Sequence, residues 1–196
     1  MKKSNKGLIR RAHICDAAIG VLGSQGAAGF SHHKVDDTAE IARGSTSYYY
    51  RTKLALVLAT MDRIEELDAN DISQFLGQDE LAMSQSAEFL HNWLKGEGLI
   101  RTRARLEIFM LAASEPAICD RVRLGRQAIK TLVDNMTQKF FQTIHPETRN
   151  RLIDMAMMGI DGLMFINVRE RNEPPSVEEI SFIFDFWIKQ FSIAND

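Results

Sequence analysis

Residues 30–56 read FSHHKVDDTAEIARGSTSYYYRTKLAL, and this stretch decides the fold. Its pattern predicts a short helix over 31–38, opened by a serine suited to an N-cap. A turn follows at 39–41, and a second short helix is predicted over 42–49. Thr52 can then cap a long helix whose apolar residues keep a spacing of three and four. Two short helices joined by a tight turn and framed by longer helices form a helix-turn-helix arrangement.

The rest of the chain also shows helical periodicity, with no convincing alternation of the kind that strands show. A first helix is predicted over residues 6–24, ended by a Gly-Ser-Gln-Gly cluster. Further helices are predicted near 79–95, 98–114, 116–144, 147–171 and 176–193, and Ser176 is a good cap for the last of them. The fold class is therefore predicted to be all-α, with about nine helices. Residues 1–53 are expected to form a three-helix DNA-binding domain, and residues 54–196 a larger helical domain.

Charge is distributed unevenly along the 196 residues, although the formal net charge is only −2. Residues 1–53 carry nine Lys and Arg against four Asp and Glu, which leaves 15 bases and 22 acids for the remainder. A basic segment over residues 1–53 followed by an acidic remainder indicates that only the amino-terminal segment binds a polyanion.

Other classes of protein lack support in the sequence. No signal peptide and no apolar run long enough to cross a bilayer is recognisable, so a cytoplasmic protein without a membrane partner is expected. Cys15 and Cys119 are far apart and are both predicted to be small buried hydrophobes. The adjacent His32 and His33 point apart on a helix and have no third ligand nearby. We therefore expect no metal and no cofactor.

The second short helix exposes residues suited to a duplex. In a helix-turn-helix this helix enters the major groove. Short donors that can approach base edges are found there, and Tyr48 and Tyr49 offer hydroxyls to phosphates. Arg51 and Lys53 follow beside the DNA backbone. The short donors, together with one arginine, are Arg43, Ser45, Thr46 and Ser47.

This segment resembles the TetR/AcrR family of transcriptional regulators. The likeness lies in Gly29-Phe30, Ala39-Glu40-Ile41, Tyr48-Tyr49-Tyr50 and Thr52-Lys53 followed by leucines. It is similar above all to a subgroup that reads Phe-Thr-His-x-x-Val-Asp before the turn and Gly-Ser-Thr-Ser-Tyr-Tyr-Phe-Arg-Thr after it. The likeness in motif covers about a third of the chain, and the remainder is similar in helix number and length only.

The resemblance implies roles for individual residues. Lys53 and Tyr49 would hold phosphates, while Ser31 and His32 would touch the flanking DNA backbone. Tyr50 takes the position of a family phenylalanine and is expected in the core. The residues that would approach base edges are Arg43, Ser45 and Thr46.

The chain departs from the family pattern at two positions. Glu40 stands where glycine is usual, which would cost up to about 1 kcal/mol if the backbone there is left-handed. It also places a negative charge near DNA. Ser47 stands where most members have tyrosine, so the aromatic contact is expected to move to Tyr48.

The last two predicted helices, near 147–171 and 176–193, have apolar residues almost all round. A helix in a small domain buries one stripe against its own core, so the surplus surface needs a second partner. A symmetric interface between two copies would supply one, and a homodimer through these helices is predicted. The alternative is that both are central helices of a monomer.

A set of methionine and aromatic side chains in the larger domain is expected to bind a small, largely apolar effector. Methionine and aromatic residues suit an adaptable pocket, although the same pattern is more often plain core. The candidates are Met61, Phe89, Trp93, Phe109, Met110, Met136, Phe140, Met157 and Met158. The predicted function is a dimeric repressor, released from a palindromic double-stranded DNA operator by the effector. The alternatives are a helical interaction or ligand-binding module without DNA binding, and an enzyme, for which no catalytic constellation is found.

Overall fold

The computed structural model describes residues 2–76, 83–140, 143–170 and 174–195. Within these ranges the chain forms α-helices and no strand, which confirms the all-α prediction. The helices are α1 (Lys2–Gly29), α2 (His32–Thr38), α3 (Ser45–Tyr49), α4 (Lys53–Leu76), α5 (Met83–Trp93), α6 (Gly96–Ala112), α7 (Pro116–Phe140), α8 (Pro146–Glu170) and α9 (Val177–Asn195). None of the described helices is long and apolar enough to cross a membrane.

The helix boundaries differ from the predicted ones by several residues in places, most clearly in α1, α3 and α7. The helical run of α1 continues to Gly29, but Gly26 interrupts it with φ 67° and ψ −179°. The start of α3 is at Ser45, three residues later than predicted, and α7 ends before residue 144. Parts of the predicted helices, at 79–82, 141–142 and 171, lie outside the described residues.

The chain packs as two compact units, the first formed by Met1–Gly77 and Glu97–Val122. Its core collects buried side chains from α1, α2, α4, α6 and the start of α7, among them Ile14, Leu22, Val35, Leu56, Ile64, Ile108 and Ile118. Each large apolar side chain buried in this way contributes about 1.5–3 kcal/mol relative to exposure. The short helices of the helix-turn-helix therefore rest on a core that four longer helices share.

Ion pairs reinforce this first unit along α4. The guanidinium of Arg63 on α4 reaches Asp16 on α1 at 2.8 Å. Arg101 on α6 reaches Asp68 at 3.2 Å and also pairs with Asp71. Because the side chains of Arg101 and Asp68 are both nearly buried, this pair is less screened by solvent than an exposed one.

The second unit consists of Gln78–Gly96 and Arg123–Asp196. Its α5 and α9 pack together around Leu90, Leu94 and Ile180, while Ile144 and Ile153 form a separate cluster. The predicted cap of α9 is confirmed, since Ser176 and Glu179 exchange hydrogen bonds at 2.8 and 3.1 Å.

Several large apolar side chains of α8 and α9 remain exposed on the second unit. Phe182 is 75% exposed and Phe186 51%. Others on the same two helices are Met155, Met158, Phe165, Ile166 and Ile193. Exposed apolar surface of this extent on two neighbouring helices is typical of a protein contact.

Candidate DNA interface

The recognition helix α3 is held by a buried carboxylate. Asp36 on α2 is fully buried, and its two oxygens accept hydrogen bonds from the backbone N–H of Gly44 at 2.7 Å and of Thr46 at 2.8 Å. These amides belong to the first turn of α3, where N–H groups have no partner within the helix. Burial alone would raise the pKa of Asp36, but hydrogen bonds from Thr46 and Gly44 outweigh it, and the pKa is lowered.

The same contact explains why α3 begins later than predicted. Gly44 takes a left-handed conformation with φ 88° and serves as the N-cap, although it has no capping side chain. The carboxylate of Asp36 replaces that side chain from the preceding helix. This role of Asp36 is not predictable from local sequence, because its partners are backbone groups eight and ten residues away.

The turn between the two short helices contains the predicted departure at Glu40. Its φ is +52°, so the backbone is left-handed at a residue that has a side chain. The strain anticipated from the sequence is therefore present. His13 on α1 supports the turn through a 2.8 Å contact between its Nε2 and the carbonyl oxygen of Ala39.

Around α3, a group of polar and basic side chains faces solvent. Tyr48 is 80% exposed, and the side chain of Arg43 is 77% exposed at 3.7 Å from Asp37. The other exposed members are Ser31, Ser47, Arg51 and Lys53, while Ser45 is half-buried. Ser31 also caps α2 by accepting a hydrogen bond from the N–H of Lys34 at 3.3 Å. Donors and cations around one short helix are suited to phosphates and base edges.

The prediction that Thr46 contacts a base edge is wrong. The side chain of Thr46 is fully buried beside Asp36. The reason is its position on the inner side of α3, where its backbone amide donates to the carboxylate of Asp36. Thr46 therefore supports the helix from within and does not reach DNA from this conformation.

The tyrosine cluster divides into an outer and an inner part. The rings of Tyr48 and Tyr49 meet edge to face at 5.2 Å, and Arg11 of α1 lies 5.3 Å from the ring of Tyr49. Tyr50 is buried, as predicted, with its hydroxyl 3.3 Å from the sulfur of Cys15. Burial raises the pKa of Tyr50 to about 12, so its phenol is neutral at physiological pH. Cys15 is buried as expected, whereas Cys119 is exposed, contrary to the prediction.

Two of the residues expected to contact phosphates, His32 and Lys53, also make contacts within the protein. Nε2 of the half-buried His32 lies 2.7 Å from the carbonyl oxygen of Tyr50. Nζ of Lys53 donates to the carbonyl oxygen of Ala27 at 3.1 Å and lies 5.8 Å from the ring of Phe30. These contacts fix both side chains at the edge of the exposed group.

The expected effector residues do not share one environment. In the first unit Met61 is buried in the core, Phe109 is half-buried and Met110 is 72% exposed. In the second unit Phe89 and Trp93 are half-buried on α5, Met157 packs on the cluster around Ile153, and Met158 is 58% exposed. The side chains of Met136 and Phe140 lie outside the described part. Met110 and Met158 project from their helices into solvent, so the structure does not place them in an enclosed pocket.

A groove of about 520 Å³ is formed instead on the second unit by α8, α9 and the segment before α9. Its lining is Leu163, Ile166, Pro175, Glu178, Glu179, Phe182 and Ile183, and it includes none of the expected effector residues. The groove belongs to the face with exposed phenylalanines, so it is a feature of that apolar surface.

The described geometry thus defines an all-helical protein with a helix-turn-helix. No family model matches the chain. The chain is 24% identical over 179 residues to the HTH-type transcriptional regulator BetI of Brucella anthropi, covering 91% of both chains. It is also 23% identical over 138 residues to the HTH-type transcriptional regulator CymR of Pseudomonas putida, covering 68% of this chain and 66% of that protein.

Solved structures of the TetR family have the same fold. A TetR-family member from Streptomyces coelicolor A3 superposes with a TM-score of 0.69 at 22% identity, covering 91% of this chain and 97% of its own. The multidrug binding protein EbrR complexed with ethidium gives a TM-score of 0.66 at 24% identity, with coverage of 91% and 98%. The resemblance to TetR/AcrR regulators is therefore confirmed, and BetI and CymR are both HTH-type transcriptional regulators.

Proposed function

We propose that this chain is a dimeric transcriptional repressor that binds a palindromic operator and is released by a small, largely apolar effector. The observation that carries the proposal is the exposed group around α3, in which Arg43, Tyr48 and Lys53 face solvent while Asp36 fixes the helix from behind. Such an arrangement presents donors to a duplex without a conformational change in the motif itself.

The contacts with DNA divide into two kinds. Lys53, Arg51, Tyr48 and Tyr49 hold phosphates and set affinity, together with Ser31 and His32 at the start of α2. Base edges are read by Arg43, with Ser45 and Ser47 beside it. A dimer would place two such helices on half-sites about one helical turn apart.

The exposed apolar side chains of α8 and α9 support the dimer. Phe182 and Phe186 would be covered by the same helices of a second copy, in a two-fold symmetric contact. A substitution that tests this contact is better made at Phe182 than at Trp187 or Phe184. Phe184 packs on the α5–α9 cluster, and Gly159 is so close to Trp187 that an added Cβ would lie 3.4 Å from its Nε1.

An effector is supported by the composition of residues 54–196 and by the likeness to EbrR, whose solved structure contains ethidium. Binding would shift the population between two arrangements of the DNA-reading heads. A hundredfold loss of DNA affinity requires about 2.7 kcal/mol of differential binding between those arrangements. One or two large apolar contacts provide about that much. The protein would act in the cytoplasm.

The decisive experiment is fluorescence anisotropy of the purified protein with labelled DNA from upstream of its own coding region, titrated with KCl. Specific binding with a steep salt dependence supports the proposal, and equal affinity for that DNA and a scrambled duplex contradicts it. Ethidium fluorescence, measured with protein alone, tests the effector site. Compounds that displace ethidium are then titrated with and without operator, and linkage requires that operator weaken their binding.

The rival function is a helical interaction module that has lost DNA binding, and Glu40 is the observation that favours it. This residue is exposed, negatively charged and left-handed in the turn before α3. A Glu40→Gln protein that gains DNA binding absent from the unchanged protein would favour this reading.

A further inference from the structure

Helices α1 and α6 of the first unit approach each other at two glycines. A Cβ added at Gly23 would lie 2.6 Å from the backbone oxygen of Ile100. A Cβ added at Gly26 would lie 3.2 Å from Oε2 of Glu107. Ile100 and Glu107 are two helical turns apart on α6, so this helix runs close beside the end of α1.

The second of these contacts is made at a break in the helix. Gly26 has φ 67° and ψ −179°, a conformation that is essentially restricted to glycine. The following N–H, that of Ala27, therefore leaves the helical pattern and needs another acceptor. Oε2 of Glu107 accepts it at 2.7 Å, which is the short distance expected when the acceptor is charged.

The carbonyl oxygen of the same residue, Ala27, accepts the hydrogen bond from Nζ of Lys53. Ala27 is thus held by α6 on one side and itself holds the first residue of α4 on the other. The ammonium group has three donors, so the bond to Ala27 leaves two for a phosphate. A flexible lysine that is already oriented loses less side-chain entropy when it binds DNA.

We infer that Glu107 is a positioning residue for DNA binding: it fixes Ala27, and Ala27 orients the ammonium group of Lys53 toward a phosphate. The inference rests on the proposed function. It concerns a carboxylate on α6, well away in sequence from the helix-turn-helix, which by charge alone would be expected to oppose DNA binding.

The test is a double-mutant cycle of Glu107→Ala and Lys53→Ala, with DNA affinity measured by anisotropy at several KCl concentrations. One phosphate contact contributes about 0.9 to the salt slope, which corresponds to about eightfold in affinity at 0.1 M salt. Lys53→Ala is expected to lose that contact. Glu107→Ala is expected to lose about two- to eightfold, with a shallower slope, and to have no further effect in the Lys53→Ala background.

Three variants serve as controls for the cycle. Glu97→Ala removes the same charge from an exposed position on α6 and should leave binding unchanged or slightly tighter. Glu107→Gln keeps an oxygen acceptor and should restore most of the affinity. Glu107→Met fills the same space without an acceptor, and it replaces the alanine variant if that one does not fold.

The possible results separate this inference from the proposed function. If the unchanged protein binds no DNA, both are overturned. If it binds DNA and Glu107→Ala and Glu107→Met behave like Glu97→Ala, only the role of Glu107 is overturned. The role is also overturned if Glu107→Ala weakens binding equally with and without Lys53, since the carboxylate would then act by another route.

Discussion

Replacing Asp36 by Asn tests whether the recognition helix depends on a buried carboxylate. The wild-type side chain accepts two hydrogen bonds, from Gly44 and Thr46, at full burial. An asparagine side chain has one acceptor oxygen, so one amide keeps a neutral partner and the other faces an NH₂ group. Two charged bonds worth about 1.5–3 kcal/mol each are exchanged for one neutral bond of about 1 kcal/mol. We expect a loss of about 2–5 kcal/mol in the free energy of unfolding.

The measurement is urea unfolding followed by circular dichroism at pH 7, comparing midpoints at an unchanged m-value. Asp37→Asn is the matched control, because it removes the same charge from the next residue, which is exposed and 3.7 Å from Arg43. We expect that control to change the unfolding free energy by less than about 1 kcal/mol. Hydrogen exchange at the Thr46 amide should accelerate in Asp36→Asn alone.

The pH dependence of the unfolding free energy provides a second test of the same prediction. Because the pKa of Asp36 is lowered in the folded protein, its contribution is fully present above its usual value of about 3.8 and is lost as the pH falls through the lowered pKa. The difference between wild type and Asp36→Asn should therefore stay constant from about pH 7 to 5 and shrink only below about pH 4. Equal midpoints at pH 7, or a difference that already vanishes near pH 6, would refute the capping role.

Three further predictions concern the exposed surfaces. Arg43→Ala should blur preference at one base pair per half-site at a cost of about 1–3 kcal/mol; equal losses on specific and scrambled DNA in anisotropy would assign it to phosphate instead. Glu40→Gly should raise the free energy of unfolding by up to about 1 kcal/mol and tighten DNA binding, whereas Glu40→Gln should only tighten binding, because it keeps the left-handed strain. Phe182→Asp should produce a monomer in analytical ultracentrifugation with an unchanged helical circular dichroism signal; a wild-type monomer at micromolar concentration would contradict the proposed interface.

The sequence is a good guide to the helices because their signals are local. Ser31, Thr52 and Ser176 each cap a helix as predicted, through contacts within three residues. The boundary at Ser45 was missed because it depends on a carboxylate from the preceding helix. Likewise the helical run of α1 extends past its predicted end, with the Gly26 break satisfied by Glu107, 80 residues away from the amide that it accepts.

The effector residues were harder to predict for a different reason. Methionine at helical spacing has the same pattern whether it faces a core, a cavity or solvent, since periodicity records only which side of a helix is apolar. Met61 is in a core and Met110 is largely exposed, yet both satisfy the pattern. The outcome depends on which helix is packed opposite each side chain, and that information is not local.

Basic residues indicate where this chain meets DNA, but acidic residues determine the shape of that surface. Asp36 fixes the first turn of α3, and Glu107 fixes the residue that orients Lys53. Both carboxylates bind backbone N–H groups that the turns leave without helical partners, so their negative charge is directed inward. Glu40 is the opposite case, because its side chain is exposed and pairs with no backbone amide in the described contacts. The effect of a carboxylate on DNA binding by this protein therefore depends less on its distance from the duplex than on whether it accepts a hydrogen bond from a backbone amide.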